Sequence, residues 1–251
     1  MPHTENILPG GRYAVVSCHV ERPLDDEVWD RFSALQARRP GGFRIAALMR
    51  PPDQEAGEDE ILWLGRAQAA AERGPLGLHT HWTAPDHARP TNGDPAERVR
   101  QQAEWLRARG LEASIFCGGG WYLDPSVAEV LAELGYADCT ATAFRPGYLT
   151  ADAPRLGASE PCYVQLPSGR QLLELPTTHS LGMLARGLLA PYRRSVVHAY
   201  FHDTDLIDPL RRTALAAGLV FLGAKRWQVD LGQLQRGLRP AKTMSFANSA
   251  P

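Results

Sequence analysis

The sequence predicts a single α/β domain with a mainly parallel, barrel-like sheet. Three observations predict it. Short apolar runs rich in β-formers alternate with segments of helical period along most of the chain, the pattern of repeated β-loop-α units. Three helices open with one device, at Asp94-Pro95, Asp124-Pro125 and Asp208-Pro209. Histidines gather at the predicted C-terminal ends of strands, where a barrel of this kind builds its site.

The elements follow in order. Tyr13 to Val20 is an apolar, β-rich run ended by Glu21-Arg22-Pro23. Asp26 to Arg38 reads as a helix, with Val28, Trp29, Phe32 and Leu35 at helical spacing and Asp25-Asp26 as its cap. Phe43 to Met49 is the second strand, stopped by Pro51-Pro52, and Ile61 to Arg73 is an Ala-rich helix stopped by Gly74-Pro75. Leu76 to His81 is the third strand, and the long loop from Trp82 to Gly93 is a candidate pocket rim. Each Asp-Pro pair then places a carboxylate to accept an orphan backbone N–H, with proline's fixed φ at the first helical position. They open helices from Pro95 to Arg109, from Pro125 to Leu134 and after Asp208. Ala113 to Cys117 is a strand running into Gly118-Gly119-Gly120, and Tyr136 to Thr142 is a further short strand. Residues 143–170 are loop-rich. Tyr163 to Leu166 and Gln171 to Leu175 form a hairpin across Ser168-Gly169. Ser195 to His202 is a clear strand and Val220 to Leu222 a last short one. No fixed-period repeat or low-complexity linker divides the 251 residues, so one domain over 1–251 is expected.

Composition narrows the partners. An apolar fraction of 44% supports a sizeable core. With 27 basic and 28 acidic residues the net charge is −1, which leaves no footprint for nucleic acid or an anionic membrane. No run approaches the length of a spanning helix. Cys18, Cys117, Cys139 and Cys162 are widely spaced, with no C-x-x-C pair, and Met1 to Asn6 lacks a basic and apolar leader. Reduced thiols and a cytoplasmic location are expected.

The richest segment is Gly77-Leu78-His79-Thr80-His81-Trp82. Residues i and i+2 of a strand point the same way, so His79 and His81 aim both imidazoles at one spot. That is the usual start of a Zn or other transition-metal site. Four of the eight histidines, His19, His79, His81 and His202, sit at predicted strand ends, with Glu21 and Asp203 beside them. Ordinary hydrogen-bonded histidines are the plain alternative, and Asp203 could simply cap a turn. Trp82, Gly119 and Trp121, on loops at the same ends, are the candidate substrate contacts. The Gly118-Gly119-Gly120 run lacks a following Lys-Ser/Thr and reads as a backbone turn beside the pocket. His198 shares a face with His202 but sits mid-strand, where packing is the better reading. Glu174, near the strand end at Pro176, is a minor candidate for the pocket.

The motifs, in their order, resemble those of the polysaccharide deacetylase superfamily, and within it a divergent H-x-H-x-W-type branch. The stretches are His79-Thr80-His81-Trp82-Thr83-Ala84-Pro85, Phe116-Cys117-Gly118-Gly119-Gly120-Trp121, Leu131 to Asp138, and Tyr200-Phe201-His202-Asp203. The resemblance spans roughly residues 13–225. It implies a single-domain distorted (β/α) barrel and a divalent metal, Zn²⁺ first. Glu21, His79 and His81 would be ligands, His202 the general acid beside Asp203, and His19 the group at the base position. Two departures stand out. His19 replaces the family's base Asp, and Cys117 replaces the Arg that tethers it. Thr83 stands where a further His is usual.

Two functions are expected to compete. One is a metal-dependent hydrolase that removes an N-acetyl group from an intracellular aminosugar or sugar-containing small molecule. The other keeps the fold and pocket without deacetylation, binding a sugar-like ligand or running a different reaction in small-molecule biosynthesis.

Overall fold

The computed structural model describes residues 7, 10–83, 88–149, 153–187 and 194–246. The Met1 to Asn6 start, Ala84 and Pro85 lie outside them. The first half of the chain runs β1 (Tyr13–Val20), α1 (Asp26–Arg38), β2 (Ala46–Met49), α2 (Glu60–Arg73), β3 (Leu76–Thr80), α3 (Pro95–Ala108), β4 (Ile115–Gly118), α4 (Pro125–Leu134) and β5 (Ala137–Asp138). The second half adds β6 (Cys162–Gln165), β7 (Gln171–Glu174), β8 (His179–Ser180), α5 (Leu181–Gly187), β9 (Val196–His202), α6 (Pro209–Lys225), β10 (Trp227–Gln228), α7 (Leu231–Gly237) and β11 (Thr243–Ser245).

The neighbours β5, β4, β3, β2, β1 and β9 pair in parallel, in that order. One stretch closes them into a ring. Its start, β7, pairs in parallel with β5 and its end, β8, with β9. Between them Leu175 and Thr177 donate to the carbonyls of Asp138 and Ala141, and Thr178 donates to His198. The result is a distorted α/β barrel of seven parallel members. β6 adds antiparallel to β7 outside the ring, with β11 on its far edge, and β10 pairs with the start of β1.

Alternation along the strands explains the two buried layers. Ala14, Val16, Cys18 and Val20 of β1 face outward into a core shared with Phe32 and Leu35 of α1 and Leu219 and Leu222 of α6. Tyr13 and Val15 face the ring's interior with Leu48, Ile115, Cys117, Cys139 and Leu175. Ser17 and His19 have the inward parity and are buried too. Gly77 lines that interior for want of space: a Cβ there would lie 2.4 Å from Leu48 Cδ2 and 2.8 Å from Ile115 O.

The capping devices form as the sequence predicts. Asp25, Asp94, Asp124 and Asp208 each accept first-turn backbone N–H groups, with Val127 N at 2.8 Å from Asp124 and Leu210 N at 2.8 Å from Asp208. Val220 to Leu222 is not a strand; it lies within α6. Leu215, Leu219 and Leu222 recur there at helical spacing and are buried, so the helical period overrides the local β preference. The second strand is confined to Ala46–Met49, and regular pairing after β4 to Ala137–Asp138 with an isolated bridge at Thr142. No helix among the described residues is long and apolar enough to cross a membrane.

Candidate metal centre

The strand ends supply the site. β1 delivers His19 and, just past its end, Glu21; β3 delivers His79 and then His81; β9 delivers Tyr200 and His202. Strand register sets His19 opposite His202 and His79 opposite Cys117. Glu21 Oε1 lies 3.8 Å from His79 Nε2, 3.7 Å from His81 Nε2 and 3.5 Å from His202 Nε2. These gaps are long for good hydrogen bonds. They are close to the roughly 3.3–3.5 Å between neighbouring ligands on a tetrahedral ion with bonds of about 2.0–2.1 Å.

Glu21, His79 and His81 form a compact set whose ligand atoms all lie within 4.8 Å of one another. His202 touches Glu21 but joins no such set among the described residues. The donor chemistry, one carboxylate and two imidazoles with the lone pair of His79 Nε2 free, fits a borderline divalent ion such as Zn²⁺. His79 Nδ1–H donates to Cys117 O at 2.9 Å, which sets that tautomer and aims Nε2 at Glu21. Arg98 Nε donates to His81 O at 2.9 Å and pins the end of β3.

Charge is sorted within the cluster. Burial alone would raise the Glu21 carboxyl, but the imidazoles of His79, His81 and His202 around it hold it far below the carboxylate range. Burial lowers His79, with His81 adding to it. His19 is pushed well down by burial, then by His79 and His202, and is uncharged at neutral pH. For His202 burial opposes protonation, but Asp205 and Glu21 outweigh it and raise its pKa. Asp205 Oδ2 accepts the His202 backbone N–H at 2.9 Å and faces its Nδ1 at 3.8 Å, while Arg211 holds Oδ1 at 2.8 Å.

An aromatic wall stands beside the imidazoles. The His19 ring centre is 5.0 Å from Tyr200 and 5.5 Å from Trp121. Phe144 stacks against Tyr200, and the Trp121 ring is edge-on to both. Trp121 has φ 58°, a left-handed conformation uncommon for a bulky side chain and characteristic of strained functional positions. Tyr148, 66% exposed, hydrogen-bonds Trp121 at the mouth.

Three sequence candidates make structural contacts in this fold. Trp82 is a core residue: two positions of one parity, His79 and His81, face inward, so Trp82 faces outward. Its Nε1 donates to Gly119 O at 3.0 Å and its ring packs on Phe116 and Tyr122. Gly119 is closely packed, since a Cβ would lie 2.5 Å from Thr80 O and 3.2 Å from His81 Cδ2. Asp203 is fully buried and spends its oxygens on backbone N–H groups of Arg22 at 2.9 Å, Thr204 at 2.8 Å and Glu21. It ties the end of β1 to the end of β9. Glu174 also turns away from the pocket: it pairs with Asp138 across β5–β7, on the outward parity of Leu172. His198 is internal, with Nε2 2.8 Å from Ser17 Oγ and Nδ1 donating to Leu175 O at 3.1 Å. Sequence reasoning passed over Tyr200, Phe144 and Asp205. Tyr200 carried a signal, being two residues before His202 on the same strand face.

No family model matches the chain, and no curated protein matches it in sequence. Solved structures do resemble it in fold. One is the 4-alpha-glucanotransferase from Thermococcus litoralis, at TM-score 0.60 and 13% identity over 94% of this chain, which spans only 42% of that larger protein. Another is a Mycobacterium smegmatis protein classed as a polysaccharide deacetylase, at TM-score 0.64 and 12% identity over 94% of this chain and 93% of that one. At such identities the likeness is one of fold.

Proposed function

We propose that the chain is a metal-dependent amide hydrolase that removes an acetyl group from an aminosugar or sugar-containing small molecule inside the cell. The observation that carries this reading is the single Glu21 oxygen set 3.5–3.8 Å from three imidazole nitrogens. The fold shared with the deacetylase-classed protein, over nearly the full length of both chains, supports it. Glu21, His79 and His81 would hold the ion, and a bound divalent metal would polarise the amide carbonyl and lower the pKa of water. His202, whose pKa Asp205 and Glu21 raise against the opposing effect of burial, donates a proton from Nε2 to the leaving amine. His19, uncharged, accepts a proton at the free nitrogen of its ring. Trp121, Tyr200 and Phe144 make the dry wall against which the acyl group is oriented.

The experiment measures metal content and acetate release on the purified chain. About one ion per chain, with acetate freed from simple N-acetyl sugars, is the expected result. His79→Ala or His81→Ala strips the ion and nearly all activity. No ion and no acetate overturn the reading. One observation favours a second reading, a barrel that binds a sugar-like ligand or runs another reaction: the strong burial of His19 makes it a poor base. Retained metal and ligand binding without acetate release would select it.

A further inference from the structure

Two ligand sets share His79. The outer one is Glu21, His79 and His81. The inner one is His19, His79 and Cys117, whose ligand atoms also lie within 4.8 Å of one another. Its residues are all buried, His19 at 3% exposure and Cys117 at none. β3–β4 register sets Cys117 opposite His79, and the His19 ring centre is 4.5 Å from that of His79. An independent observation points to a ligand there. His19 Nε2 is buried without a hydrogen-bond partner, and buried ring nitrogens are ordinarily paired. His19 and Cys117, two of the positions at which the sequence departs from the family it resembles, thus meet in one cluster.

We propose that His19, His79 and Cys117 form a second, interior site for one thiophilic cation of the Cu(I) or Cd(II) class. Thiolate with two imidazoles is a soft donor set, whereas the carboxylate of the outer set suits harder divalent ions. His79 Nδ1 is engaged by Cys117 O, so Nε2 serves one set at a time and the two positions are alternatives for a single ion. Binding breaks the Cys117 S–H bond, forms an S–metal bond and releases one proton to solvent. An ion held inside withdraws His79 from Glu21, which makes thiophilic metals inhibitors of the outer site. This last consequence rests on the proposed function; occupation of the inner site does not.

Cd²⁺ alone, added to the full metal-free chain with its thiols reduced, tests the proposal. The expected result is a thiolate-to-metal charge-transfer absorption that saturates at one ion per chain. Cys117→Ser removes it, and Cys139→Ser and Glu21→Gln keep it. His19→Gln leaves every thiol in place and weakens Cd²⁺ binding by more than the roughly tenfold that loss of an outer-sphere partner costs. This arm decides the matter should Cys117→Ser not fold. Absence of the band in the parent chain, its survival in Cys117→Ser, or unchanged Cd²⁺ affinity in His19→Gln overturns the proposal. Glu21→Gln that still holds zinc and releases acetate would overturn the hydrolase reading alone.

Discussion

At Glu21 one oxygen faces His79, His81 and His202, and the pKa of the last is raised. His202→Asn removes the proton donor and leaves the compact ligand set intact. Turnover should fall by roughly 10²-fold or more, with metal content per chain unchanged; a variant that loses the ion would make His202 a ligand instead. A second prediction concerns Asp138 and Glu174. Burial raises both carboxyls, and Asp138 raises Glu174 further, while a hydrogen bond with Glu174 lowers Asp138. A carboxyl whose folded pKa exceeds its unfolded one stabilises the fold at low pH and loses that contribution as pH rises from the unfolded pKa through the folded one. Glu174→Gln removes one of the two ionisations. The variant should match the parent near pH 4 and exceed it at pH 8, where each kcal/mol reads as about 2–4 °C in Tm. Parallel Tm–pH curves would refute this. Much of the residue scale was legible because a strand's period is two. It put His79 with His81 on one face. The same parity excludes Trp82 from that face and includes Tyr200. Phe144 gave no signal, because a loop residue's ring contacts depend on distant chain.

Among elements, the junction of β1 and β9 is where a small change should reach the site. Asp203 binds the backbone of Glu21 and Arg22 from the far side of that junction. Asp203→Ala frees Glu21 from its seat, so metal affinity should drop roughly 10–100-fold, as for other groups that orient ligands. Unchanged affinity measured by competition with a chelator would leave Asp203 a purely structural residue. The helix starts are a separate case. Asp124 caps α4 far from the ligands, so Asp124→Ala should cost about 1 kcal/mol in chemical unfolding and leave metal content alone. Caps and long periodic strands were readable because each carries its signal within a few neighbouring residues. β8, β10 and β11 span two or three residues, too few to show any period. The three apolar residues Val220, Phe221 and Leu222 read as a strand only when the buried Leu215 and Leu219 beside them are ignored.

On the scale of the whole molecule, the chain folds its first strand against one of its last. Tyr13 of β1 pairs with Val196 of β9, and residues 171–180 complete the circuit between β9 and β5. The β-loop-α alternation made the barrel class foreseeable; the closing stretch was not, because its hydrogen bonds switch neighbours midway without a change in sequence pattern. That closure has a consequence for biosynthesis. A ribosome adding about 5–20 residues per second needs roughly 10–40 s to deliver β9 after β1 has emerged. Throughout that interval one edge of β1 has no partner, and its eight residues, all buried in the finished protein, offer an open template to any neighbouring strand. Yield of the nascent chain should therefore depend on holdase chaperones far more than refolding of the complete chain does.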